Sequence, residues 1–308
     1  MTTLLWILQL ALIPLLSPLA IGLTRSIKAR FQNRRGASPL QPYCDLWKLL
    51  HKDEVISRDA SWIFRVAPFI VFGTTLAIAA SIPLLSLSTR THTNDLLVLV
   101  GLLALETFWI ALAGIDVGSP FGGFGSSRQM MLASFTEGAL VLSLFALALM
   151  NSTTDLFGIA EAQSMSGHLF VVPLIVAGIS FGIALLAETM RYPFDNPATH
   201  LELTMIHEAM VLEYSGPRLA LMEWAAANKY LIFIALFGNL FLPFGIAAAG
   251  ASLSVICISA IIFFIKALIA VFAIAALESS IAKLRIFRLP DLLFTATVLS
   301  IIAIVLAL

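Results

Sequence analysis

Long apolar runs separated by short polar stretches dominate the chain. Eight runs reach the length of about 20 residues that a membrane helix needs: 3–23, 66–88, 96–115, 130–150, 169–189, 229–248, 251–276 and 290–308. Pro14 and Pro18 fall inside the first and are expected to kink it, while Pro83 and Pro243 lie towards the ends of theirs. The pattern predicts an all-α polytopic membrane protein of about eight transmembrane helices, forming one integral membrane domain over 1–308. Polar loops are expected at about 24–65, 116–129, 190–228 and 277–289. No internal repeat, low-complexity linker or large water-soluble domain is visible. The first basic residue is Arg25, so no positive segment precedes the first run, which is expected to stay as a helix rather than be cleaved.

Composition agrees with this reading. The chain is 60% hydrophobic and 12% charged, against about 25% charged in a typical soluble domain. Net charge is zero, and its distribution says more than its sum. Sixteen of the eighteen Lys and Arg residues fall in the four loops named above when Lys229, at the edge of the third, is counted with it, leaving Arg90 on the opposite side and Lys266 inside a run. Positive loops stay cytoplasmic. Eight spans then put both termini on the periplasmic side, in a multi-pass protein of the cell inner membrane. The lipid bilayer is the expected surrounding, and nucleic acid is not an expected partner. Cys44 and Cys257 are the two cysteines, too few for a disulfide framework, a four-cysteine zinc site or an iron–sulfur cluster. Any electron carrier is expected on another chain.

Several charges sit where lipid-facing chain is expected. Glu106 lies near the middle of the third run, Glu137 in the fourth, Glu188 at the end of the fifth, Lys266 in the seventh and Glu278 at its close. A charge at a helix centre costs about 2.5–3.5 kcal/mol on insertion scales, so such residues pair, face a bundle interior or line an ion path. A proton path is the reading of the set. A static buried pair between Lys266 and a glutamate is the alternative.

The densest polar stretch runs from Arg191 to Pro217, RYPFDNPATHLELTMIHEAMVLEYSGP, with Asp195, Glu202, Glu208, Glu213, His200 and His207 among apolar residues. Asn196 followed by Pro197 is a helix start, and Ser215-Gly216-Pro217 a stop, so a helix of four to five turns is predicted. On it Glu202 and Glu213 fall within about 20° of each other, and His200 and His207 share a face about 10 Å apart. That separation is too long for one metal ion. His207-Glu208 opens like a zinc-protease HExxH pattern, but Val211 occupies the last place. The helix suits a place in protein beside a wet cavity, and a solvated amphipathic loop helix is the alternative. In the first loop, Gln32, Asn33, Arg34, Arg35 and Gly36 form a polar turn, and Tyr43 to Leu50 reads as a short amphipathic helix at the interface. A docking surface or cavity mouth is one reading of this loop; topology control or lipid headgroup binding is the other.

The motifs FQNR at 31–34 with Gly36, DVGSPFGGFGSSR at 116–128, SFTEG at 134–138, and the series from Glu188 through Arg191 and PFD to LEYSG at 212–216 resemble the membrane family that includes subunit 1 of respiratory complex I. The match runs in order over about residues 20–290. Within that family the DVGSPFGG loop, the run HLELTMIHEAMVLEYSG, and Lys266, Glu278 and AKLR at 282–285 are similar to the membrane anchor subunits of energy-converting nickel–iron hydrogenases of the formate hydrogenlyase and hydrogenase-4 type (component C/D).

The resemblance implies a non-catalytic subunit of an oxidoreductase complex. It would dock a hydrophilic arm of hydrogenase small and large subunits and an iron–sulfur subunit, and link it to antiporter-like membrane subunits through buried acids. It also implies a proton pathway through Glu137, Glu188, Asp195, Glu202, Glu208, Glu213 and Lys266. Arg25, Gln32, Arg34, Asp45, Asp116, Arg128, Arg191, His200 and His207 would line a chamber or dock the arm. The chain itself would bind no metal and no cofactor, with the nickel–iron centre and iron–sulfur clusters on partner subunits. Thr24 stands where complex I proteins carry a glutamate, and Pro197-Ala198-Thr199-His200 lacks two acids found there. Both departures favour the hydrogenase branch over a quinone-binding subunit of an NADH:quinone oxidoreductase, which is the first alternative. An autonomous ion transporter and a purely structural anchor complete the set.

Overall fold

The computed structural model describes residues 2–89, 93–166, 171–195 and 205–308. The described residues form helices joined by short loops, with no β-strand beyond two isolated bridges. In chain order the helices are α1 (Thr2–Phe31), α2 (Gln41–Leu50), α3 (Trp62–Ser81), α4 (Leu96–Asp116), α5 (Pro120–Asn151), α6 (Leu156–Ser166), α7 (Val172–Glu188), α8 (His207–Val211), α9 (Gly216–Leu236), α10 (Leu253–Ser280) and α11 (Leu289–Ala307). A π-helical turn, Phe237–Phe241, continues α9. Seven helices among the described residues are long and apolar enough to cross a membrane: α1, α3, α4, α5, α9 with its π turn, α10, and α11 with the short turn before it. The remaining apolar run, predicted at 169–189, falls on α7, which is apolar but has 17 residues.

Several helix starts differ from the hydropathy reading. α5 begins at Pro120 rather than 130, and α9 at Gly216 rather than 229. Both have proline in the first turn, where its missing N–H costs nothing. α5 opens on the glycine-rich PFGG and α9 on GPR, stretches that a window for apolar runs passes over. The consequence is large for Lys229, counted above as a loop cation: it lies in the middle of α9 and is buried. The four-to-five-turn helix predicted to end near Tyr214 is also corrected. Its start and residues 196–204, including His200 and Glu202, lie outside the described residues. Among the described residues of that segment the helix is His207–Val211, because Met205 and Ile206 are not helical. The Asp195 carboxylate accepts the N–H groups of Ile206 (3.1 Å) and His207 (3.4 Å), so a helix begins there.

Two groups of helices make the bundle. α5, α7 and α11 pack on one another, and α4 joins them to α3; α9 packs against α1, α3 and α10. The main core runs through both, with Phe181 of α7 against Phe233, Phe237 and Phe241. Polar contacts fix α9 against α1. Pro18 lacks the N–H that would bond the Pro14 carbonyl, and Trp224 Nε1 of α9 donates to that carbonyl at 2.8 Å. One turn on, Ser17 Oγ donates to Asn228 Oδ1 (2.7 Å), and Asn228 Nδ2 donates to Thr75 Oγ1 of α3 (3.2 Å).

α2 folds back over α1. Gly22 makes this possible: a Cβ there would stand 1.9 Å from the Pro39 carbonyl oxygen. α2 buries Pro42 and turns Trp47 outward, as an amphipathic helix should.

Candidate functional site

The polar side chains that the fold gathers surround a cavity of about 540 Å³ at the end of the bundle where the basic loops lie. One wall is α1, with Ile21, Thr24, Arg25, Lys28 and Gln32; α2 adds Asp45, Leu46 and Leu49. The segment after α7 supplies Thr189, Met190, Arg191 and Asp195, α8 supplies His207 and Glu208, and α9 supplies Glu223 and Tyr230. Glu278 of α10 reaches the same space.

Several of its charged groups are paired. Glu278, with a side chain 1% exposed, lies between Lys28 Nζ (3.0 Å) and Arg191 Nη1 (3.3 Å). The Arg191 guanidinium stacks over the Tyr230 ring at 4.4 Å, and the Tyr230 hydroxyl bonds Thr24 Oγ1 at 2.9 Å. Lys28 Nζ also lies over the Tyr192 ring at 4.3 Å. Asp195 pairs with Lys283 Nζ (2.9 Å), and Gln41 Nε2 donates to Asp45 Oδ1 (2.9 Å). Burial pushes the His207 imidazole below its ordinary value; Glu223 and Asp195 oppose that shift and Lys229 adds to it.

A second cluster begins one residue behind the wall. Thr189 lines the cavity and Glu188 does not; Tyr230 lines it and Lys229 does not. Lys229 Nζ stands 2.9 Å from Glu188 Oε2 and 3.6 Å from Glu106 Oε2, with all three side chains less than a tenth exposed. Glu137 of α5 is half-buried and within electrostatic reach of Glu188 and Lys229. Two carboxylates thus share one ammonium. With one further proton the cluster is neutral; without it the charge is −1.

The expected site residues divide as follows. Arg25, Gln32, Asp45, Arg191, His207, Asp195 and Glu208 meet at the cavity. Glu188 and Glu137 lie behind it. Arg34 is exposed in the turn after α1, and Glu213 is exposed between α8 and α9. Asp116 anchors the start of α3: its carboxylate accepts from Ser61 N (2.8 Å), Ser61 Oγ (2.6 Å) and Phe64 N (3.3 Å). Arg128 donates to the Met205 carbonyl at 3.2 Å, under the α8 segment. Lys266 lies apart from the acids and donates to neutral partners, described below. His200 and Glu202 lie outside the described residues. Among the described residues no cluster of three His, Cys, Asp or Glu side chains is arranged to hold a metal ion.

Sequence reasoning missed Lys229 and Glu223 and did not pair Glu278 with Lys28 and Arg191. The Gly216-Pro217 pair was the available signal for Lys229: read as a helix start instead of a stop, it puts that residue mid-helix.

Comparisons with known proteins identify the family. Residues 3–308 match the family model described as NADH dehydrogenase, and the chain belongs to that family. It is 35% identical over 279 residues to hydrogenase-4 component C of Escherichia coli (strain K12), covering 90% of this chain and 87% of that one. It is 33% identical over 275 residues to formate hydrogenlyase subunit 4 of the same organism, covering 88% and 87%. NADH-quinone oxidoreductase subunit 8 of Rhodothermus marinus is 29% identical over 241 residues, covering 71% and 68%. A chain of the membrane-bound sulfane sulfur reductase, an archaeal respiratory membrane complex, shares the fold with a TM-score of 0.84 at 22% identity, over 100% of this chain and 99% of that chain.

Two outcomes follow from the buried clusters. Lys229→Met leaves two carboxylates without their cation and is expected to cost about 3–5 kcal/mol, read as a lower melting temperature of the purified chain; adding Glu106→Gln and Glu188→Gln should restore most of it. Because His207 is held below its usual value, the unfolded chain takes up a proton first as pH falls. Its contribution is therefore present above about pH 6.5 and is lost below it. Melting curves at pH 8 and pH 5.5 should show a larger drop for the wild type than for His207→Gln.

Proposed function

We propose that this member of the NADH dehydrogenase family is the membrane subunit of a redox-driven, proton-translocating complex of the nickel–iron hydrogenase type. The observation that carries the reading is the step from the cavity wall to the buried cluster. Thr189 and Tyr230 face the cavity, and their chain neighbours Glu188 and Lys229 form the ion cluster with Glu106. A charge change at the cavity is therefore one residue away from a group of titratable side chains inside the bundle.

In this reading a hydrophilic arm of hydrogenase small and large subunits and an iron–sulfur subunit sits over the cavity mouth, against α2, Arg34 and the α8 segment. The arm carries the nickel–iron centre and the clusters. Reduction or oxidation there changes the charge felt by Arg191, Glu278 and Asp195. The proton held between Glu188 and Glu106 then moves on towards Glu137 and antiporter-like membrane subunits. Glu208 and Glu223 supply protons from the cavity side, and Lys229 keeps the buried acids from facing each other without a cation. α7 is the eighth span in this scheme. At about 25 Å it is shorter than the hydrocarbon core of about 30 Å, so Glu188 ends it inside the bundle, with both termini on the periplasmic face and the basic loops on the cytoplasmic face.

A second reading, a quinone-binding subunit, draws on the apolar wall of Ile21, Leu46 and Leu49 and on the likeness to an NADH-quinone oxidoreductase subunit. Thr24 in place of a glutamate weighs against it. Dependence of activity on added quinone separates the two.

In proteoliposomes holding the assembled complex, Glu188→Gln and Glu106→Gln should leave assembly intact and reduce proton translocation at least tenfold. Unchanged translocation in both variants would rule out the pathway.

A further inference from the structure

Lys266 points to a second kind of ion site, at the other end of α9 from the cavity. Its ammonium lies where α9 gives way to the π-helical turn. Nζ donates to the carbonyl oxygens of Leu242 (2.6 Å) and Gly238 (2.9 Å) and to Asn239 Oδ1 (3.3 Å), and it stands 4.4 Å from the centre of the Phe244 ring. An ammonium has three donors, and three oxygens receive them. Among the described residues no carboxylate takes part.

The cage is built independently of the lysine. Asn239 Nδ2 donates to the carbonyls of Pro83 (2.7 Å) and Leu84 (3.0 Å), which fixes the amide and aims its oxygen at the cavity of the turn. The loop beyond is pinned to the same segment: Ala247 N donates to the Leu85 carbonyl and Leu87 N to the Ala247 carbonyl, both at 2.9 Å. Gly245 is in the left-handed region (φ 81°), and a Cβ there would come within 2.5 Å of Ile262. These contacts hold the turn and the loop after it through bonds that do not involve Lys266.

Neutral carbonyl oxygens at the end of an interrupted helix carry the negative end of its dipole, and unwound helix carbonyls inside a membrane are ligands for monovalent cations. A ring face adds a further cation contact. Divalent ions are held largely by carboxylates, and this cage is built from neutral oxygens. We propose that the oxygen cage at the π-helical turn is a monovalent-cation site whose resident ion is the Lys266 ammonium, and that an alkali-metal cation fills the same place when that side chain is removed. The inference does not rest on the translocation reading above. The chain carries its own cation on a tether, which ties α10 to the end of α9 and, through Asn239, to the loop after α3.

The test uses the full chain purified in lipid nanodiscs, melted in NaCl, KCl, MgCl2 or choline chloride at equal ionic strength. Wild-type melting should be the same in all four. Lys266→Met should melt several degrees lower in choline and magnesium and recover with sodium or potassium in a saturable manner. The double variant Lys266→Met with Asn239→Leu should lose the recovery. Equal melting of Lys266→Met in every salt would overturn the proposal, as would recovery that survives the Asn239→Leu change or alkali-cation dependence in the wild type. If Lys266→Met folds only when purified in sodium or potassium, the proposal stands; if it folds in none of the salts, the cage does not accept a free ion and the proposal fails.

Discussion

A lysine ammonium inside a helical bundle is costly unless opposite charge and hydrogen-bonding partners surround it. On α9, Glu188 of α7 and Glu106 of α4 surround Lys229. That requirement brings together three helices from distant parts of the chain. α9 also carries the Trp224, Asn228 and Tyr230 contacts to α1 and α3, so the helix that bears the buried cation is the one that most of the polar packing fixes in place. The cavity lies beside the cluster around Lys229, lined from α1, α2, α8, α9 and α10.

Lys229 and Lys266, the two buried lysines among the described residues, are compensated in opposite ways. Lys229 meets two carboxylates and forms a cluster whose charge changes by one unit with a single proton. Lys266 meets three neutral oxygens and a ring face, an arrangement that compensates one positive charge and offers no acid to exchange with. The two are linked through α9: nine residues, about 14 Å of helix, separate Lys229 from Gly238. The first arrangement suits transfer, the second suits anchoring.

Much of this was legible beforehand. Apolar length located the seven helices long enough to cross a membrane, the QNR–G and LEYSG motifs placed the chain in its family, and Arg25, Gln32, Asp45, Arg191 and His207 do meet at one cavity. What was not legible depends on where helices begin and on contacts across the chain. The glycine-rich opening of α5 and the GPR opening of α9 hid their starts, and the second made Lys229 read as a loop residue. The Asp195 carboxylate, eleven residues away, decides where α8 begins, which no local propensity contains. Asp116 was a candidate through the resemblance alone, and it holds Ser61 and Phe64 at the start of α3. The partners of Glu278, Lys28 and Arg191, lie 250 and 87 residues away in sequence.

The central claim is that redox change in a docked arm alters the protonation of the cluster around Lys229. Redox-induced infrared difference spectroscopy of the assembled complex tests it most directly. The account predicts a protonated-carboxyl C=O band that appears or vanishes on reduction and is absent from the difference spectrum of Glu188→Gln or Glu106→Gln. A spectrum with no carboxyl band, or with a band that both substitutions leave unchanged, would contradict it.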